Sequence, residues 1–293
     1  MTNVLTVKDL KKSYKRGFIP RATLVLKGLN FSVPSGSITG FLGGNGAGKT
    51  TTMRCMLGLD FPDSGDVHFF GAPLNEASKR KIGFLPERPY FYEHLTGREF
   101  LQFYARLTSR WTRKALDSRI DDLLKRVDLH FAKDRPLRNY SKGMLQKIGV
   151  AQALIHDPEF VILDEPMSGL DPDGRMYLSE IIVETAKRGP AVFFSSHLLN
   201  DMERLCERLV VLKDGVCIYE GTTDTLLDRS GVEYEISFLN RGQREVKKVA
   251  TQEEVQPELK NLLNEGAMIH EVRRIRGSLE EIFVKMALKG GRK

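Results

Sequence analysis

Gly43 to Thr51 reads Gly-Gly-Asn-Gly-Ala-Gly-Lys-Thr-Thr and directly follows the apolar stretch Ser37-Ile-Thr-Gly-Phe-Leu42. The run matches G-x-x-x-x-G-K-[ST] at Gly43, Gly48, Lys49 and Thr50, between a short buried strand and a helix opening at Thr50, where a P-loop must sit. A chain built around such a turn needs a strand to deliver it and a helix to leave it, so an α/β fold is expected. The glycines let the backbone curl until consecutive N–H groups converge on phosphate oxygens, which any Cβ would obstruct. The helix adds the positive end of its dipole. Lys49 would neutralise β- and γ-phosphates, and the Thr50 hydroxyl would ligate a Mg²⁺ that keeps several waters. The run from Gly43 through Gly44, Asn45, Gly46, Ala47, Gly48, Lys49 and Thr50 to Thr51 is therefore expected to cradle a nucleoside triphosphate. A Gly-rich turn with no ligand is the alternative, and the full motif in its proper context weighs against it.

At 293 residues the chain has room for a large domain plus a small one, and an apolar content of 41% is enough to bury a core. No stretch approaches the ~18 to 20 uninterrupted apolar residues of a membrane-spanning helix, and the first residues lack a signal peptide's apolar core, so the chain is expected to stay in the cytosol. Cys55, Cys206 and Cys217 have neither a C-x-x-C nor a metal-ligand spacing and read as thiols in a reducing compartment. The formal charge of +7 permits attraction to anionic lipid or nucleic acid and selects neither.

Strands are expected at Val4–Leu10 and Leu24–Val33, joined by the basic segment Lys11–Phe18. Tyr14 is a candidate platform for a nucleotide base, with simple packing as the alternative and Phe18 as a competitor. A short strand follows at Val67–Phe70. Thr96-Gly-Arg-Glu99 is a capping box before Phe100, Phe103, Tyr104 and Leu107 at helical spacing, a stripe read as core. Ile120, Leu123, Leu124 and Val127 mark a further helix, so the span from about 95 to 155 is expected to be an inserted helical region. Tyr140-Ser-Lys-Gly-Met144 opens another helix ending near His156-Asp-Pro158.

Phe160-Val-Ile-Leu163 is continuously apolar, as a parallel strand covered on both faces must be, and it ends in Asp164-Glu165. After a P-loop this reads as a metal-binding Asp164 and a Glu165 that polarises water. Ala191–Phe194 is a second such strand, ending in Ser195-Ser-His197. A lone His there can be structural, but carboxyl ends of parallel strands share one crevice, which places His197 near Lys49 and Asp164. Asp214-Gly215 signals a hairpin between Leu209–Lys213 and Val216–Glu220. Beyond Gly221, Val232, Tyr234, Ile236 and Phe238 alternate as a half-exposed strand. Pro257 is expected to start a helix bearing Leu259, Leu262 and Leu263, and Ser278-Leu-Glu-Glu281 starts a terminal one with Ile282, Phe283 and Met286. The last residues, Lys289 to Lys293, are expected to fray.

These residues, taken in order, resemble the ATP-binding subunits of ABC transporters. The resemblance covers about 1 to 225, with Tyr14 at the A-loop, 43 to 50 as Walker A, Glu87 at the Q-loop and 140 to 144 as the signature. Residues 160 to 165 stand as Walker B, Ser168-Gly-Leu-Asp171 as the D-loop and His197 as the switch histidine. It implies a P-loop NTPase with a RecA-like mixed sheet, an inserted helical subdomain and a small α+β appendage over 226–293. It also implies ATP with Mg²⁺ as ligand, held through Thr50 and Asp164 with Glu87 close by, and a head-to-tail dimer. Each ATP would then lie between one subunit's P-loop and Ser141 and Gly143 of a second ATP-binding subunit, and the spacing leaves contact in cis open. Two departures stand out: Lys142 and Met144 occupy signature positions commonly held by Gly and Gln, and Glu87 stands where Gln is usual. Both are similar to subunits of ABC-2-type exporters, which implies membrane-spanning partner subunits, a location on the cytoplasmic face of the membrane and no specific nucleic acid. Two rivals stay open at this stage: a soluble ABC-type ATPase acting on nucleic acid or ribosomes, and a nucleotide-binding regulatory subunit that does not turn over.

Overall fold

Two long strands, β1 (Asn3–Arg16) and β2 (Arg21–Pro34), pair antiparallel. The fully buried β3 (Ile38–Gly43) then feeds α1 (Lys49–Met56) through the glycine-rich turn. Next come β4 (Ser64–Phe69), β5 (Ala72–Pro73), α2 (Glu76–Lys79) and β6 (Ile82–Leu85). Three helices follow, α3 (Gly97–Leu107), α4 (Arg113–Arg126) and α5 (Lys142–Leu154). The chain continues through β7 (Phe160–Leu163), α6 (Pro172–Lys187), β8 (Ala191–Ser196), α7 (Leu199–Leu205), β9 (Arg208–Lys213) and β10 (Val216–Thr222). It closes with α8 (Thr223–Asp228), β11 (Val232–Asn240), β12 (Gln243–Val249), α9 (Gln252–Asn264) and β13 (Met268–Arg276). This computed structural model describes residues 2–16, 21–108, 111–228, 232–240 and 242–283. Phe18, Met286 and residues 289–293 lie outside them.

The chain divides into two compact units, 1–220 and 221–293. In the first, a six-stranded sheet has the order β10-β9-β3-β8-β7-β6. Its strands pair parallel from β9 to β6, so the carboxyl ends of β3, β7 and β8 share one edge. Asp214 and Gly215, both at positive φ, make the tight turn into the edge strand β10. A separate four-stranded antiparallel sheet, β2-β1-β4-β5, was not foreseen as a layer of its own. Its apolar face, with Leu5, Leu29 and Phe31, packs onto Phe41, Phe160 and Phe193 of the parallel sheet. Phe31, Phe41 and Phe193 lie with ring centroids 5.1 to 5.9 Å apart. This explains why the first two strands and the P-loop strand fold together: each buries one face against the other sheet.

The helical region carries its expected caps. The Thr96 side chain accepts from the Glu99 N–H and Glu99 answers the Thr96 N–H. Ile120, Leu123, Leu124 and Val127 are fully buried. The aromatic stripe on α3 is only half core, however. Phe100 is buried, whereas Phe103 is 40% and Leu107 67% exposed, because the buried face runs through Phe100, Leu101 and Ala105 instead.

In the second unit β11 is the centre of a three-stranded antiparallel sheet, β12-β11-β13, and Ile236 and Phe238 pack with Leu262 of α9. The helix bearing Leu262 does not start at Pro257. It starts at Gln252, capped by Thr251 with a reciprocal Glu254 bond, and Pro257 lies inside it. Pro257 falls in the second turn, where its missing N–H removes a single intrahelical bond and the capping box upstream holds the start. Ser278 Oγ accepts from the Glu281 N–H, as the terminal capping box requires.

Truncation of a wholly buried ring in the inter-sheet core should be severe and truncation of the exposed α3 leucine mild. Phe193→Ala should lower unfolding free energy by about 3 to 5 kcal/mol, and Leu107→Ala by no more than about 0.5 kcal/mol, both read from denaturant midpoints.

Candidate functional site

The glycine-rich turn adopts the shape its sequence allows. Gly46 (φ +79°) and Gly48 (φ +109°) lie in the left-handed region, where a side chain is strained. A Cβ at Gly43 would meet the Leu212 carbonyl oxygen at 2.7 Å, so this glycine is required by packing against β9. By contrast, a Cβ at Gly44 or Gly46 would meet no atom within 4 Å. Those positions open into a cavity of about 600 Å³ lined by Asn45, Gly48, Lys49, Thr50 and Thr51 as well. Gly43 and Ala47 shape the turn from behind: Ala47 is buried and its N–H donates to the Gly44 carbonyl.

Two carboxylates meet the turn from the end of β7. Asp164 is 1% exposed, and its Oδ1 accepts from the Ser195 hydroxyl at 2.6 Å. Burial pushes its pKa up, hydrogen bonds from Ser195 and Thr50 oppose the rise, and the charges of Glu87 and Glu165 add to it. Glu165 adopts φ +48°, a left-handed conformation uncommon outside glycine. Its N–H donates to Ser195 Oγ at 2.8 Å, so one hydroxyl from the adjacent strand pins both acidic residues. The Glu165 carboxylate bridges two elements, with Oε1 at 3.2 Å from Lys49 Nζ and Oε2 at 2.8 Å from His197 Nδ1. Lys49 also donates to the Gly43 carbonyl at 2.7 Å.

Tyr14, Glu87, Glu165 and His197 line the same cavity as the glycine-rich turn. The candidate residues of β1, the turn, the segment after β6, and the ends of β7 and β8 are thus brought together. Ser141 and Gly143 are not. Ser141 caps α5 through the Met144 N–H, and with Gly143, Lys142 and Met144 it lines a second cavity of about 570 Å³. The neighbouring Tyr140 is structural: it is buried and its hydroxyl donates to the Ala132 carbonyl at 2.9 Å. The 168–171 segment links the two cavities, since Ser168 lines the first, and Gly169, Leu170 and Asp171 the second.

Sequence reasoning gave no role to Ser195, Thr23 or Val25. Thr23 and Val25 reach the cavity because β2 pairs with β1 and sets Thr23 opposite Tyr14. Ser195 reaches the acids because β7 and β8 align Leu163 with Phe194, so the next residue on each strand emerges at one level. Only strand register carries that signal, although a hydroxyl two residues before the candidate histidine was a hint.

The chain matches the family model for ABC transporter over residues 26–168. It is 44% identical to the ABC transporter ATP-binding protein all4389 of Nostoc sp., over 77% of this chain and 68% of that one. It is 34% identical to the ABC transporter ATP-binding protein YhcH of Bacillus subtilis, over 98% and 96% of the two lengths. The bacitracin transport ATP-binding protein BcrA of Enterococcus faecalis is 37% identical over 81% of this chain and 76% of its own. Among solved structures, one described as the ATP-binding subunit of an ABC transporter superposes with a TM-score of 0.68 at 32% identity, covering 78% of this chain and 92% of that one. Motif order, fold and relatives agree, and the chain belongs to the family of ABC transporter ATP-binding proteins, which are ATPases.

Proposed function

We propose that this chain binds MgATP at Tyr14 and at the turn from Gly43 to Thr51, and hydrolyses it with Glu165 as the base. The observation that carries the reading is the Glu165 carboxylate held between Lys49 and His197 at the mouth of the phosphate cradle. A triphosphate entering the cradle competes with Glu165 for the Lys49 ammonium. With the lysine drawn to phosphate, the carboxylate is left to face water. His197 steadies the carboxylate through Nδ1, and its ring lines the same cavity. The Ser195 hydroxyl fixes the backbone of Glu165, so the base stays aimed while the substrate moves.

Thr50 and Asp164 fit a Mg²⁺ site: both offer hard oxygen donors, and the Thr50 hydroxyl and the Glu87 charge both act on the Asp164 carboxyl. When bound, the metal would neutralise charge developing on the transferred phosphoryl group.

Pairing with a second ATP-binding subunit follows from the separation of the two cavities. Ser141 and the amides near Gly143 stand at a helix N-terminus suited to a γ-phosphate, yet they line a different cavity from the cradle. A head-to-tail pair unites each cradle with the other subunit's Ser141 and Gly143, and the 168–171 segment runs between them.

Among the described residues no helix is long and apolar enough to cross a membrane; the relatives named for transport support membrane-spanning partner chains. We place this subunit on the cytoplasmic face of the membrane, with residues 1–225 as the ATPase and 226–293 as an accessory domain. Relatives named for bacitracin transport support a transport role, and the Lys142, Met144 and Glu87 positions support an exporter. The segment Glu87 to Thr96, with Tyr90 77% exposed, is the surface proposed to grip a partner's cytoplasmic helix.

Glu165→Gln should retain ATP binding while hydrolysis slows by about 10²- to 10⁴-fold; wild-type turnover in a steady-state assay would sink the assignment of the base. Lys49→Ala should weaken nucleotide binding itself, and an unchanged dissociation constant would contradict the cradle. The double substitution Arg88→Glu, Tyr90→Ala should reduce copurification with the membrane subunit without changing ATP affinity. Unaltered assembly would move the partner contact elsewhere.

A further inference from the structure

We infer that Asp60 and Arg54 are positioning residues that hold the Tyr14 ring as a fixed platform for the nucleotide base, an inference that rests on the ATP-binding reading of the cradle. Tyr14 lines the cavity together with Thr23 and Val25 of the neighbouring strand. Its hydroxyl donates to Asp60 Oδ2 at 2.7 Å. Arg54 clamps the same carboxylate with both arms, Nε at 2.8 Å from Oδ2 and Nη2 at 3.2 Å from Oδ1. Arg54 lies in the last turn of α1, and the Asp60 N–H returns to the Arg54 carbonyl at 3.2 Å. The carboxylate is therefore fixed to the helix that opens at the cradle. Thr51 of the same helix lines the cavity together with Tyr14. Lys12 stands 5.0 Å from the ring centroid and is itself held by the Phe61 carbonyl.

The consequence is that base and phosphates are received on one rigid element. A free surface tyrosine surrenders rotamer freedom when a base stacks on it, whereas an anchored one has already done so. Stability alone does not account for the arrangement. The Arg54 side chain is 50% exposed, and exposed ion pairs contribute little to folding. The clamp is also insensitive to pH over the working range. Hydrogen bonds from Arg54 and then Tyr14 bring the Asp60 carboxyl down to about 2. Its contribution is present above the ordinary carboxylate range and is lost only as pH falls through that value.

The test compares MgATP with inorganic tripolyphosphate, which has no base, as ligands of the full chain by titration calorimetry. Asp60→Ala should weaken MgATP about three- to tenfold, part of what base stacking contributes, and leave tripolyphosphate affinity unchanged. In steady state the same variant should raise KM and spare kcat. Tyr14→Phe, which keeps the ring and removes only the anchored hydroxyl, should reproduce the loss. The Asp60→Ala, Tyr14→Ala pair should be no worse than Tyr14→Ala alone, and Asp60→Asn, which keeps an acceptor for the hydroxyl, should recover part of the affinity. Weakening by Tyr14→Ala with none by Asp60→Ala or Tyr14→Phe overturns the inference while the platform stands. Equal losses for MgATP and tripolyphosphate in Asp60→Ala also overturn it, since they trace to the cradle. No loss in Tyr14→Ala removes the platform reading itself.

Discussion

The contact between Lys49 and Glu165 is the interaction on which the rest of the site depends. Their side chains are only 8% and 11% exposed at 3.2 Å separation, so both charges have left water. Removing either partner would strand the other, and desolvation makes such a pair a poor source of stability by itself. What compensates is the surrounding set of hydrogen bonds: the Gly43 carbonyl on the lysine and His197 on the carboxylate. The pair thereby forces α1, the end of β7 and the end of β8 into one arrangement. A contact that is marginal for folding is well placed to be exchanged when phosphate arrives.

The antiparallel sheet and the parallel sheet serve this site differently. The parallel sheet aligns the ends of β3, β7 and β8, and Ser195 turns that alignment into fixed positions for Asp164 and Glu165. The antiparallel sheet carries Tyr14 and Thr23 to the same cavity. The packed rings of Phe31, Phe41 and Phe193 join the two layers into one core. Left-handed backbone at Glu165 is the local strain that this rigidity sustains.

Most of the first unit was legible in the sequence because its signals are local. A strand–glycine turn–helix run, an apolar strand ending in two acids, a capping box and a hairpin turn each carry their own stereochemistry. Misreadings arose where a local signal had a competitor. Pro257 marked a helix start by composition, but the Thr251–Glu254 capping box outweighed it. The α3 stripe looked like core by spacing, yet the helix turned Phe100, Leu101 and Ala105 inward and left Leu107 in water. Periodicity gives a face and leaves its exact direction to the neighbours.

The sequence by itself determined the groups available: a glycine-rich turn with its lysine, an aspartate and a glutamate at the end of an apolar strand, and a histidine at the end of another. The tertiary structure alone decided their company. Register between β7 and β8 brought Ser195 to the acids, since pairing between distant segments leaves no mark in either segment alone. The Tyr14–Asp60 hydrogen bond joined β1 to the segment after α1 across 46 positions of chain, and Arg54 is tied in through the same carboxylate. The fold also set Ser141 and Gly143 beside a different cavity from the glycine-rich turn, because the helix they open is anchored elsewhere by its own buried face.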